Sequence, residues 1–175
     1  MDRKKRVLFF CVTNSCRSQM AEAWARGLRS GELEPFSAGA RLGVLDPQAA
    51  QVMAEAGLDL NGQSSKTLAD LPGVEFDLVV SLCSVAHAAL PALPGNPPVL
   101  RLEVPNPRHG IDGREHPERL LRSYRRVRDQ IRRLIDALPT DAIAPARRHS
   151  TAGTARPSGT GRASRSGMLP MVVAP

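Results

Sequence analysis

The chain has 175 residues, of which 42% are hydrophobic, 23% charged and 3% aromatic. That length predicts one domain with a core large enough to fold without disulfides or a metal staple, and no apolar run approaches the roughly 18 residues of a membrane span. The net charge of +7 is uneven: residues 1–141 carry 19 basic and 17 acidic side chains, whereas Arg147, Arg148, Arg156, Arg162 and Arg165 follow with no acid among them, and the scarcity of aromatic side chains to stack on bases makes nucleic acid an unexpected partner.

The opening MDRKKRVLFFC is basic and then apolar. Its apolar run, residues 7–12, is shorter than a signal-peptide core, so a cytoplasmic protein is expected. Residues 7–10 read as a strand buried on both faces. After residues 11–18 comes a helical pattern, with Met20, Trp24 and Leu28 four apart. Residues 36–38 form a second short strand. Asp46 before Pro47 marks a helix start, and Gly57 marks its stop. Residues 76–82, FDLVVSL, are the clearest central strand, and 98–102 a weaker one.

Residues 118–138 predict a long amphipathic helix whose apolar stripe is Leu120, Tyr124, Val127, Ile131, Leu134 and Leu138. Such a stripe reads as core packing. Beyond Pro139 the composition shifts to Ala, Arg, Ser, Thr, Gly and Pro, which predicts a disordered basic tail over 140–175. The domain is therefore expected over 1–139. Strands alternating with helices predict a three-layer α/β sandwich around a central four-stranded parallel sheet. Ligands bind such sheets beyond the carboxyl ends of the strands. Cys11 and Cys83 each fall at such an end, so one mouth is expected to hold both.

The segment CVTNSCRS, residues 11–18, joins a strand to a helix. A helix N-terminus favours anions, and a loop around it can turn successive N–H groups inward. The backbone of Val12, Thr13, Asn14, Ser15, Cys16 and Arg17 is thus expected to hold an oxyanion, with the Arg17 guanidinium adding a planar fork. The same field stabilises a thiolate at Cys11. Ser18 is placed to donate a hydrogen bond to that sulfur. Asn14 tolerates left-handed backbone and can brace the loop. Only three cysteines are present, which argues against a disulfide framework and for reduced, reactive thiols.

The spacing Cys-x5-Arg-Ser resembles the phosphate-binding loop of the low-molecular-weight protein tyrosine phosphatases. The longer run NSCRSQMAEAW, residues 14–24, is similar to that of the thioredoxin-coupled arsenate reductases within this family. FSAGA at 36–40, EAGLDLNGQSSKTL at 55–68 and FDLVVSLC at 76–83 extend the likeness, which covers residues 5 to 138. The resemblance implies the phosphatase-like fold and a mechanism. Arsenate enters the loop, Cys11 attacks arsenic, and Cys83 then attacks the Cys11 sulfur, leaving a Cys11–Cys83 disulfide and arsenite. Electrons then come from an external thiol system of thioredoxin, glutaredoxin or mycoredoxin type, and no bound cofactor is implied. The family also carries a cation site, matched here by Asn14, Glu22 and Ser37; Lys66 stands where some members have an acid, so an ammonium is expected in place of a metal ion.

Two positions depart from the pattern. The third redox cysteine of the thioredoxin-coupled members is Leu90 here, before Pro91. Either a reductant attacks the Cys11–Cys83 disulfide directly, or a small thiol such as glutathione or mycothiol resolves the adduct. Cys16 is a third thiol for Cys11 to pair with, or else a small buried filler. The family's general acid before a proline is Asn106, before Pro107, which cannot donate a proton in that way. Asp112 and Glu103 are nearby substitutes. Phosphatase action on esters should therefore be poor, while a low-molecular-weight phosphatase and a non-catalytic oxyanion-binding relative stay open as alternatives. His87, His109, His116 and His149 lack the paired spacing of zinc ligands, so no metal site is expected.

Overall fold

The structure is a computed structural model that describes residues 3–111 and 117–139. The expected tail over 140–175, and Asp112, His116 and His149, lie outside these residues. In chain order the elements are β1 (Lys5–Cys11), α1 (Arg17–Leu28), β2 (Leu33–Gly39), α2 (Pro47–Glu55), a 3-10 turn (Leu68–Asp70), β3 (Leu78–Ser81), α3 (Ser84–Ala89), β4 (Val99–Arg101) and α4 (Pro117–Asp136). The strands form one parallel sheet in the order β2-β1-β3-β4.

The alternation of side chains along β1 divides the interior. Val7 and Phe9 face a core closed by α1, α2 and α4, whose contributions include Met20, Trp24, Val52, Met53, Tyr124 and Ile131. Leu8 and Phe10 face the opposite way, against Phe76, Val79 and Ala86 of α3. The sheet is thus covered on both faces, and the three-layer sandwich with four parallel strands is as expected. Among the described residues no helix is long and apolar enough to cross a membrane.

Several boundaries differ from the sequence reading. β2 runs from Leu33 rather than residue 36, because each residue from Lys5 to Cys11 finds a partner on it. β3 is shorter than 76–82, and β4 is trimmed to three residues. Hydrogen bonds continue past the ends of β3, with Asp77 N–H on the Arg6 carbonyl and Leu82 N–H on that of Phe10. On α4, Ile135 is buried and Leu134 only packs at the core's edge. α3 and the 3-10 turn were not foreseen.

α2 begins as Asp46-Pro47 predicts: the Asp46 carboxylate accepts the N–H groups of Gln48 and Ala49, which satisfies two donors the helix cannot. Gly57 follows its end at φ +78.

Candidate active site

β1 delivers Cys11 to the sheet's carboxyl edge, opposite Gly39 on β2. A Cβ on Gly39 would stand 2.7 Å from the Asn14 nitrogen, 2.8 Å from the Arg41 carbonyl oxygen and 2.8 Å from the Thr13 carbonyl carbon. The loop after Cys11 therefore lies directly on β2, a contact only glycine allows.

Asn14 takes φ +47, and this turns it under the loop, fully buried. Its N–H donates to the Cys11 sulfur at 3.2 Å. Its side-chain NH2 donates to the Ser18 hydroxyl at 2.9 Å, and that oxygen lies 2.8 Å from the Cys11 sulfur. Because Ser18 Oγ already accepts from Asn14, its own proton is free to point at the sulfur. Two donors thus converge on Cys11 Sγ, an arrangement suited to an ionised sulfur. The Asn14 side-chain oxygen accepts Lys66 N–H at 2.7 Å and Gln19 Nε2 at 2.9 Å. The loop is pinned further by Ser65, whose hydroxyl donates to the Thr13 carbonyl at 2.9 Å, and by Asp46 N–H on the Ser15 carbonyl at 2.9 Å.

α1 starts at Arg17 with no side-chain cap and no acid in its first turn. Its positive end is uncompensated and faces the loop. Among the described residues the N–H groups of Thr13, Ser15 and Cys16 reach no acceptor. These are the donors an oxyanion requires.

The loop forms the floor of a cavity of about 780 Å³ lined by Cys11, Val12, Thr13, Ser15, Cys16 and Arg17 and, from elsewhere in the chain, by Cys83, Glu103 and Asn106. Of the sequence-predicted site residues, Asn14 and Ser18 lie behind the floor rather than on it. Arg17 holds the facing wall by donating to the Val104 carbonyl at 2.8 Å. Cys83, at the start of α3, is buried and free, as is Cys11. Asn106 is exposed, and its side-chain oxygen accepts Arg108 N–H at 3.1 Å. Leu90, at the end of α3, packs against the Leu8–Phe10 core.

Cys16, on the same loop, packs against the main core. Burial, and then the Asp46 charge, push its thiol well above the usual range. Such a thiol keeps its proton when folded and releases it from about pH 8.5 when unfolded, so stability falls as pH rises past that value. Cys16→Ala is expected to flatten the fall in melting temperature between about pH 8 and 10 while keeping most activity; scanning calorimetry across that range checks it.

Sequence reasoning missed three residues here. Tyr124, read as core, is indeed buried, but its hydroxyl reaches the cavity and donates to Asp46 at 2.5 Å. Burial and that bond raise its pKa. Asp46, read as a helix cap, also pairs with Arg108 at 3.2 Å, whose guanidinium lies 5.7 Å from the Tyr124 ring centre. Asp46 thus joins the loop, α2, α4 and the turn carrying Asn106. The Asp-Pro signal revealed only the cap.

Behind the loop, Glu22 on α1 accepts the Ser37 hydroxyl and pairs with Arg26 at 2.5 Å. The Lys66 ammonium lies 3.7 Å from the same carboxylate, where the resemblance implied a cation.

A family model for low molecular weight phosphotyrosine protein phosphatases matches residues 6–144. The chain is 37% identical over 134 residues to an arsenate reductase of Brevibacillus brevis, which covers 75% of this chain and 91% of that protein. Among solved structures it is similar to an arsenate reductase in the phosphate-binding state, with TM-score 0.61 and 29% identity over 80% of this chain and 99% of the other. It is also similar to the low molecular weight protein tyrosine phosphatase of T. tengcongensis, with TM-score 0.60 and 25% identity over 76% and 96% of the two chains.

Proposed function

The chain belongs to the low-molecular-weight phosphotyrosine protein phosphatase family, and within it we propose an arsenate reductase that stores the electrons of one turnover in a Cys11–Cys83 disulfide. The observation that carries this reading is that two buried free thiols, Cys11 and Cys83, line one anion-directed cavity. A phosphatase has use for the first of them alone.

Arsenate binds over the loop, its oxygens on the free N–H groups and the Arg17 guanidinium. The Cys11 thiolate forms a bond to arsenic and an arsenate oxygen leaves as water after protonation. Cys83, deprotonated, then attacks the Cys11 sulfur. The sulfur–arsenic bond breaks, its electron pair stays on arsenic, and arsenite departs. Arsenic is reduced by two electrons and the two thiols are oxidised to a disulfide. Ser18 and Asn14 hold the Cys11 sulfur in its attacking position.

The chain's remaining cysteine is Cys16, and Leu90 occupies the position of a relay thiol. Regeneration therefore falls to an external thiol acting on the disulfide itself. Steady-state arsenite formation, assayed separately with thioredoxin, glutathione plus glutaredoxin, and mycothiol plus mycoredoxin, tests the reading. Turnover with at least one supports it, and none with any sinks it.

A phosphatase reading shares Cys11 and Arg17 but needs a proton donor for the leaving group. Asn106 cannot be that donor. Asn106→Asp is expected to raise hydrolysis of an aryl phosphate by about 10²–10⁴-fold, measured as kcat/KM at mildly acidic pH, with little change in arsenate reduction.

A further inference from the structure

The reaction above needs Cys83 as a thiolate, and Cys83 is only 7% exposed. Bulk water reaches such a thiol poorly, so a proton acceptor inside the cavity meets the need. Among the described residues two carboxylates line that cavity, those of Asp46 and Glu103. Asp46 is committed: it accepts the N–H groups that start α2 and the Tyr124 hydroxyl, and it pairs with Arg108. Glu103 is exposed, and among the described residues its carboxylate has no ion-pair or hydrogen-bond partner.

The backbone sets Glu103 beside Cys83. Past the end of β4, Leu102 N–H donates to the Ser81 carbonyl at 2.8 Å and Val104 N–H to that of Leu82 at 3.0 Å. Residues 102–104 therefore run alongside 81–83 as a continuation of the parallel pairing. Arg17 fixes the far end of this stretch through its bond to the Val104 carbonyl at 2.8 Å. Leu102 and Val104 both pack with the main core. Glu103 between them is turned the other way, to the side on which Cys83 packs. His109 also lines the cavity, but on the turn that Arg108 ties to Asp46 and Gln48. His87, one turn along α3 from Cys83, is not part of the lining.

Building on the reductase reading, we propose that Glu103 is the general base that takes the Cys83 proton as this thiol attacks the Cys11–arsenate adduct. The Cys83 S–H bond breaks and an O–H bond forms on Glu103. The carboxyl group becomes neutral as the thiolate appears, so the cavity gains no net charge. The thiolate forms the bond to the Cys11 sulfur, the sulfur–arsenic bond breaks, and its electron pair stays on arsenic. The proton then passes from Glu103 to an oxygen of the departing arsenite, which restores the carboxylate. Arsenic gains two electrons, the two sulfurs lose them, and nothing else is oxidised or reduced.

The fully reduced, full-length chain is mixed with excess arsenate in the absence of any other thiol, and arsenite is followed through a single turnover. Glu103→Gln is expected to slow its release about 10²-fold. Phosphate, titrated calorimetrically, binds that variant at least as tightly as the wild type, because a negative charge has left the cavity. Glu103→Ala shows the same loss, and added formate restores about tenfold of it. A carboxylate supplied from solution would not repair a merely structural defect. His109→Gln keeps the wild-type rate. A wild-type rate in Glu103→Gln, a loss in Glu103→Ala that formate leaves untouched, or a loss that appears in His109→Gln instead overturns the proposal. So does slow release accompanied by weaker phosphate binding, because the defect then lies in the loop. Wild-type protein that releases no arsenite sinks the reductase reading and this inference together, whereas an active wild type with any contrary variant sinks the role of Glu103 alone.

Discussion

Cys11→Ser is expected to reduce arsenate turnover to background, a loss on the order of 10⁴-fold or more. The serine hydroxyl is not ionised near neutral pH, and an oxygen–arsenic adduct offers Cys83 no sulfur to attack. Cys83→Ser separates the two halves of the reaction. The loop, its free N–H groups and Arg17 are untouched, so arsenate or phosphate binding persists. Without added thiol, however, that variant releases no arsenite. Calorimetric titration with phosphate, paired with arsenite detection in a single turnover, reads both. A phosphatase would respond to the first substitution and ignore the second.

Gly39→Ala should have the next largest effect, without removing any chemical group from the cavity. All three atoms its Cβ would strike belong to the backbone, at 2.7–2.8 Å, and backbone cannot swing aside as a long side chain does. Either the strand or the loop has to shift. Overpacking of this kind costs about 1–3 kcal/mol. The shift falls on Thr13 and Asn14, so Asn14 N–H moves off the Cys11 sulfur. Displacing a reacting group by about 1 Å costs on the order of 10²-fold in rate. A lower melting temperature together with a kcat fall of that size is the expected result. Gly31→Ala serves as the control, because nothing lies within 4 Å of its Cβ position and both quantities should stay at wild-type values.

What the sequence made legible was local. The apolar run at residues 7–10 and the Asp46-Pro47 start each depend on neighbours in the chain, and both appear in the structure. The strand–loop–helix around Cys11 is likewise continuous, so the loop's place between β1 and α1 followed from residues 11–18. α3 escaped because Ser-Val-Ala-His-Ala-Ala is too short to show a helical period. Tyr124 escaped because its ring keeps the α4 stripe's spacing while its hydroxyl crosses to Asp46, 78 residues away. Gly39 carries no side chain to advertise the loop packed on it. Asn14 was read as a brace, and its left-handed geometry agrees. That its amide is committed to Cys11, rather than to a bound anion, follows only from the fold that buries it. Lys66 reaches Glu22 from the segment after α2, a meeting of distant residues that only the assembled sheet and helices produce.

The central claim is that Cys11 and Cys83 together deliver two electrons to arsenate. Fully reduced protein is mixed with excess arsenate in the absence of any other thiol, quenched in acid, alkylated and mapped by mass spectrometry while arsenite is quantified. The account predicts one equivalent of arsenite per chain, a disulfide joining the Cys11 and Cys83 peptides, and Cys16 alkylated. Arsenite without that disulfide, a Cys11–Cys16 crosslink in its place, or no arsenite with both thiols still reduced would contradict it.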